Sequence, residues 1–99
     1  MKYYFAKLHP PRADFPRTMT PDELALMQQH AAYIRTFAEK RWAVAFGPVA
    51  DPQGAYGIGV WEVPDEVDVA TLSAGDPVIK ANRGFRYEVH PMMSMIARK

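Results

Sequence analysis

The sequence predicts an α+β fold in which two helices cover one face of a four-stranded antiparallel sheet. Two segments carry apolar residues at helical spacing, and four others are short, rich in aromatic or β-branched residues and bounded by Gly or Pro. The six segments follow the order β-α-β-β-α-β, which is the order of a ferredoxin-like sandwich. With 99 residues and no internal repeat, the chain is expected to form one domain, residues 1–99.

Composition excludes several classes of protein. Hydrophobic residues make up 48% of the chain, which indicates a globular protein. The net charge is +1 and no long basic run is present, so nucleic acid is not expected as a partner. No segment could span a bilayer or act as a signal peptide, so we expect a soluble, cytoplasmic protein without a membrane partner. Without cysteine and without metal-ligand spacing among the three histidines, neither a metal nor a cofactor is expected.

The first half of the chain contains a strand, a loop and a long helix. The strand covers residues 2–8 and is rich in aromatic residues, and the loop of residues 9–19 carries three prolines. The helix covers residues 21–40. It begins with a capping box, in which Thr20 accepts from exposed backbone N–H groups and Glu23 reaches back to the cap.

The second half contains two strands, a shorter helix, one further turn and a last strand. Gly47-Pro48 closes the second strand, Gly75 ends the shorter helix, and Pro91 ends the last strand. In chain order, these elements are residues 42–46, 55–63, 66–74, 79–82 and 85–89.

The predicted strands carry apolar residues on both of their faces, which is unusual for a sheet with one face in solvent. Two helices cover only one face, so the other face is predicted to pack against a second copy of the chain in a homodimer. In the first strand, Tyr3 and Phe5 lie on one face and Tyr4, Ala6 and Leu8 on the other.

Small residues in the second and third strands are expected to leave space above one face of the sheet. This space has two explanations, close packing of a helix or a cavity for a small molecule. The residues are Ala43, Ala45, Gly57 and Gly59.

His30 lies in the middle of the first helix, at the flank of its apolar stripe. At about 100° per residue, the ring falls beside Leu26, Tyr33 and Phe37, so it is partly desolvated and needs a partner. One interpretation is a rim histidine that hydrogen-bonds a neighbouring carbonyl, and the other is a functional residue. The stripe itself is predicted to consist of Leu24, Met27, Ala31, Ile34 and Ala38.

The predicted topology gathers polar residues at one edge of the sheet. Arg12 is the best cation there for a substrate carboxylate, although an ordinary exposed loop arginine fits as well. His30 lies about 15 Å down the helix from this edge. Asp76 reaches His30 only if the segment after the second helix folds inward. The edge residues are His9, Arg12, Gly47, Pro48, Asp51 and Asp76.

Motifs spread over nearly the whole chain resemble those of the YciI-like (YCII-related) family of small dimeric α/β-barrel proteins. They are His30 with Tyr33, residues 46–49 (Phe-Gly-Pro-Val), Asp76-Pro77 and residues 84–92. The resemblance implies a ferredoxin-like monomer and a homodimer with sheets packed face to face. It also implies an active site built on a histidine–aspartate pair, which by position is His30 and Asp76.

The function expected from this resemblance is cofactor-independent acid–base chemistry on a small aromatic or enolic carbonyl compound, as in a lyase or isomerase. His30 would be the general acid or base, and Asp76 would orient its ring. Substrate-binding roles are expected for Arg12, which would hold an anionic group, and for His9, Tyr33, Gly47 and Pro48. The alternative is a non-catalytic homodimer that binds a small molecule or acts as a scaffold. In that case His30 and Asp76 only staple the first helix to the segment after the second.

Overall fold

A computed structural model describes residues 1–98 and confirms the predicted α+β class and element order. The predicted loop of residues 9–19 contains an additional short helix, and the predicted turn of residues 79–82 is replaced by another. The elements are β1 (Lys2–His9), α1 (Phe15–Thr18), α2 (Pro21–Glu39), β2 (Ala43–Val49), β3 (Tyr56–Val63), α3 (Val69–Ala74), α4 (Pro77–Lys80) and β4 (Arg86–Met92).

The four strands form one antiparallel sheet in the order β2-β3-β1-β4, which is the ferredoxin-like order. The two edge strands extend beyond their predicted ends. β2 continues through Pro48 to Val49, and β4 continues through Pro91 to Met92. Proline lacks the N–H that an inner strand must donate, but an edge strand has one side without a neighbour and tolerates it.

A bulge in β2 separates small residues that were expected to share one face. The register shifts between Ala43, which pairs with Trp61, and Ala45, which pairs with Val60. The extra residue in the bulge turns the following side chain to the opposite face. Ala43 is therefore buried under the helices, and Ala45 is exposed on the other side of the sheet.

The buried face of α2 is rotated from the predicted stripe. Leu24 is 52% exposed and Ala38 is also exposed, so the stripe is wrong at both ends. The helix instead presents two adjacent apolar bands. One band packs into the core through Leu26, Tyr33 and Phe37. The other band contains Met27 and Ala31 and borders a cavity. Ile34 is buried in the core and also reaches that cavity. His30 lies at the boundary of the two bands.

Local hydrogen bonds fix where the helices start. The predicted capping box of α2 is present: Glu23 N donates to Thr20 Oγ1 over 3.2 Å, and Thr20 N donates to Glu23 Oε1 over 2.9 Å. α3 starts at residue 69 rather than 66, because Asp68 accepts from Ala70 N and caps it there.

The core lies between the helices and one face of the sheet, around Trp61 and Val63. On the opposite face, called here the outer sheet face, Phe5, Ile58 and Val60 remain partly exposed. Among the described residues, no helix combines the length and the apolar character needed to cross a membrane.

Candidate functional site

Asp76 and His30 are in direct contact, although the topology alone places Asp76 at the sheet edge. Asp76 caps the N-terminus of α4, and α4 packs against α2. This inward turn of the chain brings Asp76 Oδ2 to 2.7 Å from Nδ1 of His30. The carboxylate has no solvent exposure, whereas the His30 side chain is 16% exposed.

Three donors converge on the buried carboxylate of Asp76. Besides His30, the hydroxyl of Tyr87 donates to Oδ2 over 2.6 Å, and the backbone N–H of Val78 donates to Oδ1 over 3.1 Å. A buried carboxylate without such partners would be strongly unfavourable. Asp76 is therefore a fixed acceptor whose position does not depend on solvent.

Tyr87 is the site residue that sequence reasoning missed. A signal for it exists in the last strand, where Tyr87 alternates with Val89 on the face that packs under the helices. A tyrosine hydroxyl placed there needs a polar partner. Burial, and then the charge of Asp76, raises the pKa of Tyr87, so its hydroxyl stays protonated and donates.

Tyr33 does not line the cavity but contacts the segment that leads to Asp76. Its hydroxyl donates to the carbonyl of Leu72 over 2.6 Å. Burial, and to a lesser extent the charge of Asp76, raises the pKa of Tyr33. The hydroxyl comes so close to Gly75 that a Cβ added there would lie 2.7 Å from it. The predicted substrate-binding residue Tyr33 therefore holds the segment that carries Asp76.

A cavity of about 550 Å³ lies between α2 and the helix-facing side of the sheet, and His30 forms part of its wall. This volume is in the range of small-molecule sites. Gly47 and Pro48, for which substrate-binding roles are predicted, line the cavity, and so does Gly57. Gly59 instead packs directly under the ring of Phe46. Both explanations for the small residues thus apply, each to a different glycine.

The cavity wall is mainly apolar and includes three phenylalanines. His30, Arg35, Tyr56 and Tyr87 are its only ionisable side chains among residues 1–98, and no carboxylate lines it. The remaining lining residues are Leu8, Pro10, Phe15, Pro16, Met19, Met27, Ala31, Ile34, Phe46, Gly47, Pro48, Ala55, Gly57, Ile58 and Phe85.

The hydrogen bond to Asp76 determines which nitrogen of His30 carries the ring proton. An ionised carboxylate only accepts, so the neutral imidazole carries its proton on Nδ1. Nε2 makes no hydrogen bond to residues 1–98 and is the nitrogen left for a molecule in the cavity. An imidazole held in one tautomer by a carboxylate can take up and return protons near neutral pH.

Arg12 and His9 lie in a neighbouring depression of about 270 Å³, together with Asp51. The guanidinium of Arg12 is already engaged: its two terminal nitrogens donate to Glu23 over 2.9 and 2.6 Å, and Nε donates to the hydroxyl of Thr18 over 2.7 Å. His9 Nε2 lies 3.0 Å from an oxygen of Glu88. These contacts hold the loop before α2, and the anion-binding role of Arg12 stays a prediction.

The ion pair between Arg12 and Glu23 shifts the pKa values of both partners. Hydrogen bonds from Arg12, and then from the backbone of Thr20, lower the pKa of Glu23 to about 2. The same hydrogen bond from the carboxylate raises the pKa of Arg12. Both charges therefore persist over the whole physiological range.

In the described part of the chain, no group of three or more His, Asp or Glu side chains is arranged to hold a metal ion. At the cavity, His30 and Tyr87 line the wall, and Asp76 lies behind them and bonds both.

Comparison with known proteins points to one family. The family model described as the YCII-related domain matches residues 1–93. No curated protein matches the chain. Among solved structures, an uncharacterised protein from Thermotoga maritima aligns with a TM-score of 0.52 and 12% identity, over 92% of this chain and 95% of that one. This likeness shows a shared fold.

A formyltetrahydrofolate deformylase from Pseudomonas putida aligns with a TM-score of 0.45 and 16% identity, over 91% of this chain and 28% of that one.

Proposed function

The chain belongs to the YCII-related domain family, and we propose that it is a cofactor-independent enzyme that moves protons on a small carbonyl compound. One observation carries the proposal: a buried aspartate fixes His30 so that Nε2 is left for an apolar cavity of about 550 Å³. The substrate is of an aromatic or enolic type, because ring-bearing side chains such as Phe46 and Phe85 line the cavity.

His30 acts as the general base and then as the general acid. Nε2 takes a proton from the carbon next to the carbonyl, and the electron pair moves onto the carbonyl oxygen as an enolate. Asp76 stabilises the imidazolium that results. Return of the proton to another carbon completes an isomerisation, and departure of a leaving group completes an elimination. The apolar wall limits the access of water to the enolate.

Proton–deuterium exchange tests this role without knowledge of the natural substrate. Phenylpyruvate and its methyl ester provide one charged and one neutral ring-bearing carbonyl compound whose exchange in D₂O is followed by proton NMR. We expect the protein to accelerate exchange above the buffer rate. In His30→Gln, the exchange rate due to the protein should fall about 100-fold or more.

His90→Gln is the matched control, because His90 also hydrogen-bonds a carboxylate, that of Glu88, but lies outside the cavity. It should exchange both compounds at the wild-type rate. Exchange at the buffer rate with both compounds, or an undiminished rate in His30→Gln, would contradict the proposal.

The second candidate function is a non-catalytic dimer in which the pair is a staple. Asp76 supports it, because the same carboxylate caps α4 and binds His30 on α2. If the pair is only a staple, His30→Gln should lower the free energy of unfolding, and neither the wild type nor the variant should accelerate proton exchange. The exchange experiment therefore separates the two functions.

We also propose that the protein is a homodimer formed through the outer sheet face. Phe5 and Val60 pair across β1 and β3 on that face, and with Ile58 they leave an apolar surface partly exposed. A stable dimer would bury more than about 1,200 Å² in total there. Ultracentrifugation should give twice the chain mass of 11.2 kDa, and Val60→Glu should give monomers. A monodisperse wild-type monomer would refute the dimer.

A further inference from the structure

We propose that Arg35 is the substrate anchor of this cavity and that the substrate is a small aromatic monocarboxylate. The inference rests on the proposed function, because it assigns the substrate class of the same cavity. It replaces the predicted role of Arg12, whose guanidinium is engaged with Glu23 and Thr18.

Charge in the cavity wall supports an anionic ligand. Arg35 is exposed, borders the cavity and forms no ion pair within residues 1–98. No carboxylate lines the wall, and the nearby charge of Asp76 lies behind His30 and Tyr87. A guanidinium with unused donors matches a carboxylate through two parallel hydrogen bonds.

The positions of Arg35 and His30 on α2 favour a short ligand. His30 and Arg35 are five residues apart, which separates their Cα atoms by about 9 Å along and around the helix. Ala31 and Ile34 lie between them along α2, and both line the cavity. A ligand held by its carboxylate at Arg35 can thus place an atom near His30 when about one ring lies between the two groups.

The rest of the wall limits the charge and favours a flat apolar body. Phe15, Phe46 and Phe85 supply aromatic contacts. Arg35 is the single permanent cation in the wall described by residues 1–98, so it compensates one negative charge. A second negative charge would be left against apolar groups, which is costly. The combination selects a monoanion with an aromatic ring over a phosphate ester or a dicarboxylate.

Direct binding measurements test the inference with known probes. Benzoate and phenylacetate are titrated into ¹⁵N-labelled protein beside the neutral isosteres benzamide and phenylacetamide, and dissociation constants are read from amide chemical shifts. We expect each carboxylate to bind about tenfold or more tightly than its amide, with shifts at the cavity. Arg35→Gln should remove this preference, and Arg35→Lys should retain part of it.

Arg41→Gln is the control for the loss of one positive charge, because Arg41 is exposed and does not line the cavity. It should leave the dissociation constants within about twofold of wild type, as expected for a screened surface charge. Equal binding of carboxylates and amides, a preference that survives in Arg35→Gln, or absence of carboxylate binding by the wild type would overturn the inference.

Two further variants separate a failure of this inference from a failure of the proposed chemistry. His30→Gln should keep the carboxylate preference while losing proton exchange, since Arg35 binds and His30 reacts. If the wild type exchanges methyl phenylpyruvate as fast as phenylpyruvate and Arg35→Gln changes neither rate, only the anchor is wrong. If carboxylates bind through Arg35 but nothing exchanges, only the chemistry is wrong.

Discussion

Asp76 and Glu23 are the two charged side chains buried within residues 1–98, and each lies at the start of a helix. Each also binds a basic side chain from another segment, Glu23 from the loop just before its helix and Asp76 from the distant α2. Glu23 binds both terminal nitrogens of Arg12, and Asp76 binds Nδ1 of His30. Both clusters thus pair a carboxylate with a basic side chain, at 2.6 Å for Glu23 and Arg12 and at 2.7 Å for Asp76 and His30.

They differ in what remains available once the contacts are made. Arg12 uses its terminal nitrogens and Nε within the protein and lies outside the large cavity. His30 uses one ring nitrogen and keeps the other for the cavity. In both places, a contact between a buried carboxylate and a basic side chain holds two segments of the chain together. Only at Asp76 does the basic partner also line the large apolar cavity and keep one nitrogen without a partner among residues 1–98.

The largest effect is expected from Asp76→Ala. Three donors, from His30, Tyr87 and Val78, would lose their acceptor inside the protein. We expect the free energy of unfolding to fall by about 2 to 4 kcal/mol, as measured by urea denaturation. Glu23→Ala should cost clearly less, because water can reach the donors at the edge of the smaller depression.

Asp76→Asn keeps the shape and provides a second measurement if the alanine variant does not fold. In the wild type, ¹⁵N shifts of the neutral His30 ring should show the proton on Nδ1. The asparagine variant should show a mixture of tautomers. An equal loss of stability in Asp76→Ala and Glu23→Ala, together with an unchanged tautomer in Asp76→Asn, would remove the distinction between the two clusters.

An intermediate, pH-dependent effect is expected from Glu23→Gln. Arg12 lowers the pKa of Glu23 from 4.5 to about 2 in the folded protein. A lowered folded-state pKa adds stability that is fully present above 4.5 and is lost as the pH falls through about 2. The stability difference between wild type and Glu23→Gln should therefore be constant near neutral pH and shrink in acid.

Denaturation curves at a series of pH values check this, and the Arg12→Gln background is the control. Without the guanidinium, the pH dependence of the Glu23→Gln difference should largely disappear, because the two residues act as one unit. A difference that stays constant down to strong acid would mean that Glu23 and Arg12 do not interact in solution.

The smallest effect is expected from Thr20→Ala, which weakens the capping box that positions Glu23. The variant removes the acceptor for Glu23 N and should lower the free energy of unfolding by about 1 kcal/mol. Thr36→Ala removes the same atoms from an exposed position within α2 and should be close to neutral. Equal urea midpoints for the two variants would show that the cap contributes nothing.

Features that depend on a few neighbouring residues could be predicted from sequence. The capping box, the order of strands and helices, and the placement of His30 on a partly buried face follow from local spacing. The strand ends at Pro48 and Pro91 were predicted too early. Whether a proline ends a strand depends on whether that strand is at an edge, and this is a property of the whole sheet.

Partners that come from distant segments could not be predicted from spacing. Asp76 was proposed as a partner of His30 through family resemblance, but the third member, Tyr87, was not. The contact between Arg12 and Glu23 is not visible in the sequence either. An exposed arginine on a helix, such as Arg35, gives no sign of the cavity that it borders.

The sequence by itself determined the α+β class and the order of the main strands and helices, because helix caps, apolar periodicity and turn residues act over a few residues. The candidate pair of His30 and Asp76 came from the family resemblance. Only the tertiary structure decided that Asp76 turns inward to His30, that the bulge in β2 separates Ala43 from Ala45, and that a cavity remains between α2 and the sheet. The reason is that a buried charge takes its donors from wherever the packed chain brings them, and an unfilled volume depends on all the side chains around it.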